Sequence, residues 1–403
     1  MYYVKEMVFV SPCRKIVIRL TMYMSFFLLA ILFCAIPQFL INRSLLEHRP
    51  VRFQSDLKYI LFWTPQHQNK PYKTKWPQGQ NVFIKQKCQY INCYITYDKH
   101  FLREDHRNLD AVIFNARDII IYPELNLTRS QNQIYIFHSM DSSENFPICN
   151  SFYDNFFNYT WTYKLNSDIP DPLLNIFDAN NTLVGPKRNM KWIVNMTHNE
   201  RVLRKIKEKK NAVAWISTKC KTKVKYEDFL REFTKELKGY NHTLDIFGPC
   251  GNKKCPESRK SNCYTTIEKN YFFILILEDS YAEDYVTAKL VKAMTHVTIP
   301  IILGSSNYNS FLPPGSYINA QSYDMKKMGA IIDYLIRYPT TYSYFFDWKN
   351  HYYYTVRPRQ RFCDVCEKLN QANGSKVYTE FRKWWNPDFR DTCQQLKYRN
   401  TFI

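Results

Sequence analysis

Glycine is scarce in this chain, with 9 residues in 403, and there is no internal repeat and no low-complexity tract. That scarcity, beside 17% Phe, Trp and Tyr, excludes a disordered or fibrous chain and calls for packed cores. Acidic residues are also in short supply: 36 Asp and Glu face 56 Lys and Arg, a formal charge of +20. The basic side chains are spread along the sequence rather than gathered in a run, which describes a basic solvated surface before it describes a nucleic-acid footprint. The length accommodates two domains of ordinary size, each with its own core.

The longest uncharged apolar run is Leu20–Ile36, extended by Phe39, Leu40 and Ile41, and it approaches the ~20 residues that cross a bilayer core. Lys5, Arg14, Lys15 and Arg19 precede it, so the positive-inside tendency leaves the short N-terminus in the cytoplasm. A cleaved signal peptide is the alternative, but the run exceeds a normal apolar core and lacks a small-x-small cleavage site. The expected topology is a single-pass type II signal anchor with a large lumenal part. Ten of the 12 cysteines follow the anchor, an even number suited to disulfides in an oxidising compartment. Cys250, Cys255 and Cys263, or the Cys363-x-x-Cys366 pair, are the alternative zinc ligands. Sequons at Asn126, Asn158, Asn180, Asn195, Asn241 and Asn373 fit glycosylation, and Asn42 heads another close to the membrane. A lumenal address sits badly with nucleic acid as a partner.

Periodicity divides the rest. A polar stem at 42–57 precedes β-type runs at Tyr59–Trp63, Val82–Ile84, Ala111–Phe114, Ile119–Tyr122 and Ile134–Phe137, with Asp168–Lys187 read as loop. Beyond Thr197–Lys210, where the spacing of Val202, Leu203 and Ile206 is helical, the alternation is clearer. Val213–Ile216, Leu244–Phe247, Tyr271–Leu277 and Thr298–Leu303 read as strands, while Tyr226–Leu237, about Asp284 to His296, and Met325–Ile336 read as helices. Strand, helix, strand in that order is a βαβ unit and implies a parallel sheet. The expected divisions are 1–19 cytoplasmic tail, 20–41 anchor, 42–57 stem, 58–195 and 196–350 two α/β domains facing a cleft, and 351–403 a cysteine-containing tail.

Ligands of an open parallel sheet bind beyond the carboxyl ends of its strands, often at a helix N-terminus. Leu277-Glu278-Asp279-Ser280 occupies such a place, and Tyr285, Ala288 and Lys289 would share one face of a helix beginning near Asp284. Lys289 can neutralise a phosphate as a point charge, and Tyr285 can stack or hydrogen-bond. Taken alone, the same residues read more readily as an ordinary helix cap with a solvated lysine.

The stretch Tyr271–Ala320 resembles the donor-binding signature of the α1,3-fucosyltransferase family. It carries Glu278-Asp279-Ser280, Tyr285-Val286-Thr287-Ala288-Lys289, Ile299-Pro300-Ile301 and Pro313-Pro314-Gly315-Ser316-Tyr317-Ile318. Ala214–Ser217, Asp245–Gly251 and Phe157–Ile169 are similar to further family segments, so the resemblance spans about residues 58–350. It implies a GT-B-like fold of two Rossmann-like domains. GDP-fucose would lie in the C-terminal domain against Lys225, Glu278, Asp279, Ser280, Tyr285, Thr287 and Lys289. No metal or cofactor is implied, since an Asp-x-Asp motif is lacking and basic side chains are left to neutralise the diphosphate. The family inverts by direct displacement, so the acceptor hydroxyl needs a general base. In Ser139-Met140-Asp141-Ser142-Ser143 that position belongs to Asp141, where the family has glutamate. Asp279 stands for asparagine, Ala288 for the glutamate that holds the donor ribose, and Lys225 for the arginine that grips the diphosphate. The expected acceptor is an N-glycan, at its core N-acetylglucosamine, with a lactosamine unit second. The expected place is the Golgi membrane. A catalytically impaired relative that binds glycans or proteins is the alternative function.

Overall fold

The computed structural model describes residues 23–24, 57–63, 77–102, 106–121, 127–218, 220, 224–251, 253–256, 262–357, 361–371 and 376–400. Among the described residues no helix is long and apolar enough to cross a membrane. The apolar run at 20–41 lies outside them apart from Tyr23 and Met24.

The architecture is α/β and rests on two parallel sheets. The first contains β1 (Lys58–Phe62), β2 (Cys93–Thr96), β3 (Ala111–Asn115), β4 (Ile134–Ser139), β5 (Tyr159–Thr162) and β6 (Ile169–Pro170), in the order β2-β1-β3-β4-β5-β6. β7 (Leu174–Asp178) and β8 (Leu183–Gly185) belong to a small antiparallel sheet. The second parallel sheet holds β9 (Asn211–Ile216), β10 (Leu244–Phe247), β11 (Tyr271–Leu277), β12 (Ile299–Leu303) and β13 (Ile318–Asn319), in the order β10-β9-β11-β12-β13. β14 (Tyr352–Val356) returns to pair antiparallel with β7. A strand covered on both faces by crossover segments reads as a continuous apolar run. All seven residues of β11, YFFILIL, are accordingly buried.

Helices form where one face is apolar and the ends are satisfied. Glu227–Gly239 has Glu227 and Asp228 in its first turn and buries Phe233 and Leu237. Met325–Arg337 is capped by Asp324, whose Oδ1 accepts the Lys327 N–H at 2.8 Å. Its Gly329 lies against Tyr240, with room for a Cβ only 3.2 Å from that ring.

Several expectations are corrected. Val82–Ile84 lies in the helix Asn81–Lys85, and Ile119–Ile121 in the helix Ala116–Ile121, because short apolar runs do not distinguish a half-buried helix from a strand. Asp168–Lys187 contains β6, β7 and β8 rather than loop alone. Proline and asparagine there sit at strand ends and turns, as at Asn181, which has a φ of 64°.

The described cysteines form five disulfides: Cys88–Cys363, Cys93–Cys366, Cys149–Cys393, Cys220–Cys250 and Cys255–Cys263. This replaces the zinc alternative, and three of the bridges tie the C-terminal tail to the first sheet and the loops around it. Of the sequons, Asn180, Asn195 and Asn241 are exposed. Asn158 is not available for a glycan in this fold: it is 5% exposed and its carbonyl oxygen accepts the Tyr135 N–H at 2.7 Å. Its amide also donates to the Lys376 carbonyl at 2.8 Å. Asn42, Asn126 and Asn373 lie outside the described residues.

Candidate functional site

In the second sheet, β10 lies on one side of β9 and β11 on the other, so the strand order reverses at β9 and β11. A crevice must open beyond the carboxyl ends of strands at such a point. A pocket of about 300 Å³ is found there. Trp215 and Ser217 line it from the end of β9, Leu277 and Asp279 from the end of β11, and Tyr226 from the entry to the helix Glu227–Gly239. Thr287, Ala288 and Lys289 form its last wall.

Two glycines near the pocket sit where a side chain would clash with its surroundings. A Cβ on Gly248, whose φ is 96°, would meet the Ser217 carbonyl oxygen at 2.2 Å. A Cβ on Gly304 would lie 2.3 Å from the Tyr308 hydroxyl and 3.1 Å from Cγ of Glu278.

Of the expected donor-site residues, Asp279, Thr287 and Lys289 line this pocket, while Lys225, Glu278, Ser280 and Tyr285 do not. The helix does not begin near Asp284 but spans Ala288–Thr295, with Thr287 extended at its N-cap. Asp284 has a φ of 59°, which a helix cannot continue through. Tyr285 therefore precedes the helix instead of sharing a face with Ala288 and Lys289. It is half-buried, edge-on to Tyr163 at 5.4 Å, and burial followed by the Asp279 carboxylate pushes its phenol up.

Glu278 is fully buried beneath the pocket. Its N–H donates to the Leu303 carbonyl at 3.1 Å, and its Oε1 accepts the Thr287 N–H at 3.1 Å. Among the described residues Oε2 has no donor in hydrogen-bonding geometry. Burial pushes its carboxyl up to about 7, offset in part by Thr287 and Lys289. Lys289 donates from Nζ to the Leu277 carbonyl at 3.1 Å, which holds the ammonium at the carboxyl end of β11. Asp279 is exposed to the pocket. Ser280 is buried and turns away from it, toward the first sheet. Lys225 is exposed, one residue from the pocket wall at Tyr226, and does not itself line the pocket.

Because Glu278 is more acidic in the unfolded chain than at its buried site, it stabilises the fold most below about pH 4.5. That contribution is lost as pH rises toward about 7. Glu278→Gln is expected to remove a stability decline on the order of 3 kcal/mol across this interval. Denaturant melts of both proteins from pH 4.5 to 7.5 check it. An unchanged slope would show that Glu278 titrates normally.

Asp141 stands on the loop after β4, at the carboxyl edge of the first sheet. Arg117, just past β3, holds it with a two-pronged fork: Nε to Oδ2 at 2.5 Å and Nη2 to Oδ1 at 2.7 Å. The Asp141 charge adds a small part to the forces raising the Tyr285 phenol. Among the described residues no three His, Cys, Asp or Glu side chains converge as metal ligands.

Sequence reasoning missed Arg117, Glu144 and Lys164. Lys164 is 1% exposed and binds the Trp384 carbonyl at 2.7 Å and Glu283 at 3.0 Å. These residues act through partners 24 to 220 positions away, so local spacing carries no signal for them. Glu144 alone had a clue, since it follows Asp141 by three.

Comparison with known proteins places these residues in context. The family model "Fucosyltransferase, N-terminal" matches residues 55–173, and "Glycosyltransferase family 10 (fucosyltransferase) C-term" matches residues 206–384. Alpha-(1,3)-fucosyltransferase C of Drosophila melanogaster is 26% identical over 85% of this chain and 82% of its own length. Alpha-(1,3)-fucosyltransferase fut-1 of Caenorhabditis elegans is 32% identical over 46% of this chain and 44% of its own. A crystal structure of an α1,3-fucosyltransferase aligns at 16% identity and a TM-score of 0.44, covering 81% of this chain and 93% of that one.

Proposed function

The chain belongs to glycosyltransferase family 10, the fucosyltransferases, whose N- and C-terminal models both match it, and from that premise we propose that it transfers L-fucose from GDP-fucose in α1,3 linkage to N-acetylglucosamine of glycoprotein glycans, with inversion. The observation that carries this reading is the pocket at the β9/β11 reversal, with Lys289 and the first turn of Ala288–Thr295 on one wall. An ammonium and the N–H groups of a helix start are suited to a diphosphate. Across the cleft, Asp141 supplies the carboxylate.

In this mechanism the acceptor hydroxyl attacks the anomeric carbon of fucose. The bond from that carbon to the GDP oxygen breaks, and its electron pair leaves with GDP. The hydroxyl proton passes to Asp141 and then to solvent. The Arg117 fork uses one lone pair on each Asp141 oxygen, leaving a second to take the proton. Lys289 meets the charge that grows on the leaving group. Glu278, uncharged over much of the range below pH 7, supports the pocket wall through Thr287.

The same reading assigns 58–195 to the acceptor and 196–350 to the donor, in a GT-B-like pair. It anchors the chain in the Golgi membrane through residues 20–41, with the catalytic part lumenal. Five disulfides and the exposed sequon residues Asn180, Asn195 and Asn241 favour such a compartment. The tail bridges of Cys363, Cys366 and Cys393 accord with core N-glycan transfer, and a lactosamine acceptor stands second. A second reading, an impaired relative that binds glycans or proteins, is favoured by Asp279 and Ala288. One puts a carboxylate into the diphosphate pocket, and the other removes a ribose partner.

Following GDP release with GDP-fucose and a panel of core N-glycan and lactosamine acceptors tests the proposal. Release that depends on the core glycan is expected. Release on lactosamine alone would move the acceptor assignment, and donor binding without release on any acceptor would favour the second reading.

A further inference from the structure

The loop 278–287, which follows β11 and walls the pocket, is held from the other sheet. Oε2 of Glu144 accepts the Ser280 hydroxyl at 2.9 Å and the Tyr281 N–H at 2.7 Å. Two further ties lie along the same loop: the Leu165 N–H donates to Oδ2 of Asp284 at 3.0 Å, and Lys164 pairs with Glu283 at 3.0 Å. The loop thus offers Asp279 and Thr287 to the pocket while its middle is fastened to the opposite half of the molecule.

Glu144 is also fixed to Asp141. Ser142 and Ser143, between them, are 1% and 2% exposed. The Asn145 N–H donates to Oγ of Ser142 at 3.1 Å and the Phe146 N–H to the Ser142 carbonyl at 3.0 Å, closing a turn. The Ser143 N–H donates to the Tyr163 hydroxyl at 3.1 Å, and the Phe146 carbonyl accepts Nε1–H of Trp385 at 2.9 Å. A turn with this many internal and flanking bonds moves as one piece, so Asp141 and Glu144 keep their separation.

We infer that Glu144 is a positioning residue that sets the donor loop at a fixed distance from Asp141, by accepting Ser280 and Tyr281 on the same rigid turn that presents the base. What is positioned rests on the fucosyl-transfer reading; the clamp itself does not. A reacting hydroxyl must meet the anomeric carbon and the base together, so a small relaxation of the loop costs rate more than affinity. The single carboxylate oxygen is suited to the task because it binds one side-chain and one backbone donor of adjacent residues at once.

The test uses the full-length protein as Glu144→Ala, Glu144→Gln and Ser280→Ala, read by amide exchange at Tyr281, GDP affinity, kcat and KM. Loss of two bonds to a charged acceptor in Glu144→Ala is expected to speed exchange at Tyr281 by about 10–100-fold. It should lower kcat by a similar factor, with KM for the acceptor within about threefold. Glu144→Gln keeps an oxygen for both donors and is expected to recover most of both losses. Ser280→Ala should cost less and should not add to Glu144→Ala. Unchanged exchange in Glu144→Ala overturns the inference, whatever the reaction. A Glu144→Gln protein as inactive as the alanine variant, with the acidic limb of its pH–rate profile gone, would make Glu144 a proton acceptor and overturn the positioning role. If exchange responds as stated but the wild type transfers no fucose, the clamp is upheld and the transfer reading alone fails.

Discussion

Asp141→Asn is expected to lower fucosyl transfer by about 10²–10⁴-fold, the usual contribution of a positioned general base. The amide is nearly isosteric, and its oxygen can still accept one prong of the Arg117 fork, while its NH2 can no longer accept the other. What disappears is the group able to take the hydroxyl proton. GDP binding should be unaltered, because Asp141 reaches the pocket only through its field at Tyr285 and does not line it. Steady-state kinetics beside a GDP titration check the split. A loss under tenfold would move the base elsewhere, and a parallel loss of GDP affinity would show that the change spread through the structure.

The second large effect is on stability. Trp385 is fully buried, with its ring 4.8 Å from Phe137 and 5.8 Å from Tyr163 and its Nε1–H on the Phe146 carbonyl. Trp385→Ala leaves a cavity between the tail and the first sheet and orphans that carbonyl. A cost of about 3–5 kcal/mol is expected. Cys149–Cys393 keeps the tail tethered, so the loss appears as looser packing rather than release of the segment. It should also loosen the turn that carries Asp141 and Glu144. Calorimetric melting, with chemical denaturation as a second measure, checks the magnitude; a change below about 1 kcal/mol would mean that the tail does not support the core.

The second sheet was legible in the sequence because its strands are apolar runs, and Tyr271–Leu277 and Ile299–Leu303 are buried throughout. Tyr271–Leu277 and Leu244–Phe247 have the limits read from their apolar runs. The first sheet was less so. Cys93–Thr96 and Tyr159–Thr162 mix polar and aromatic residues, and their burial depends on partners far along the chain, including the tail cysteines. At the site, Asp279 and Lys289 were picked out by their place beyond a buried strand, and Thr287 by the family resemblance alone. The helix start was misread because the left-handed residue Asp284 leaves no composition signal. Arg117 could not be read, and Glu144 had only its spacing from Asp141 as a clue: both matter through long-range contacts, and an isolated arginine or glutamate in a polar loop is ordinary.

Binding of GDP-fucose in this pocket is the premise of the fucosyl-transfer reading. Calorimetric titration of GDP-fucose into the purified full-length protein, repeated with Lys289→Met, is the most direct test. Saturable one-site binding that weakens about tenfold or more in the variant is the predicted result, since a charged contact to the diphosphate is lost. A folded wild-type protein that binds no GDP-fucose would contradict the account, and Asp279 and Ala288 would then mark a donor site that no longer functions.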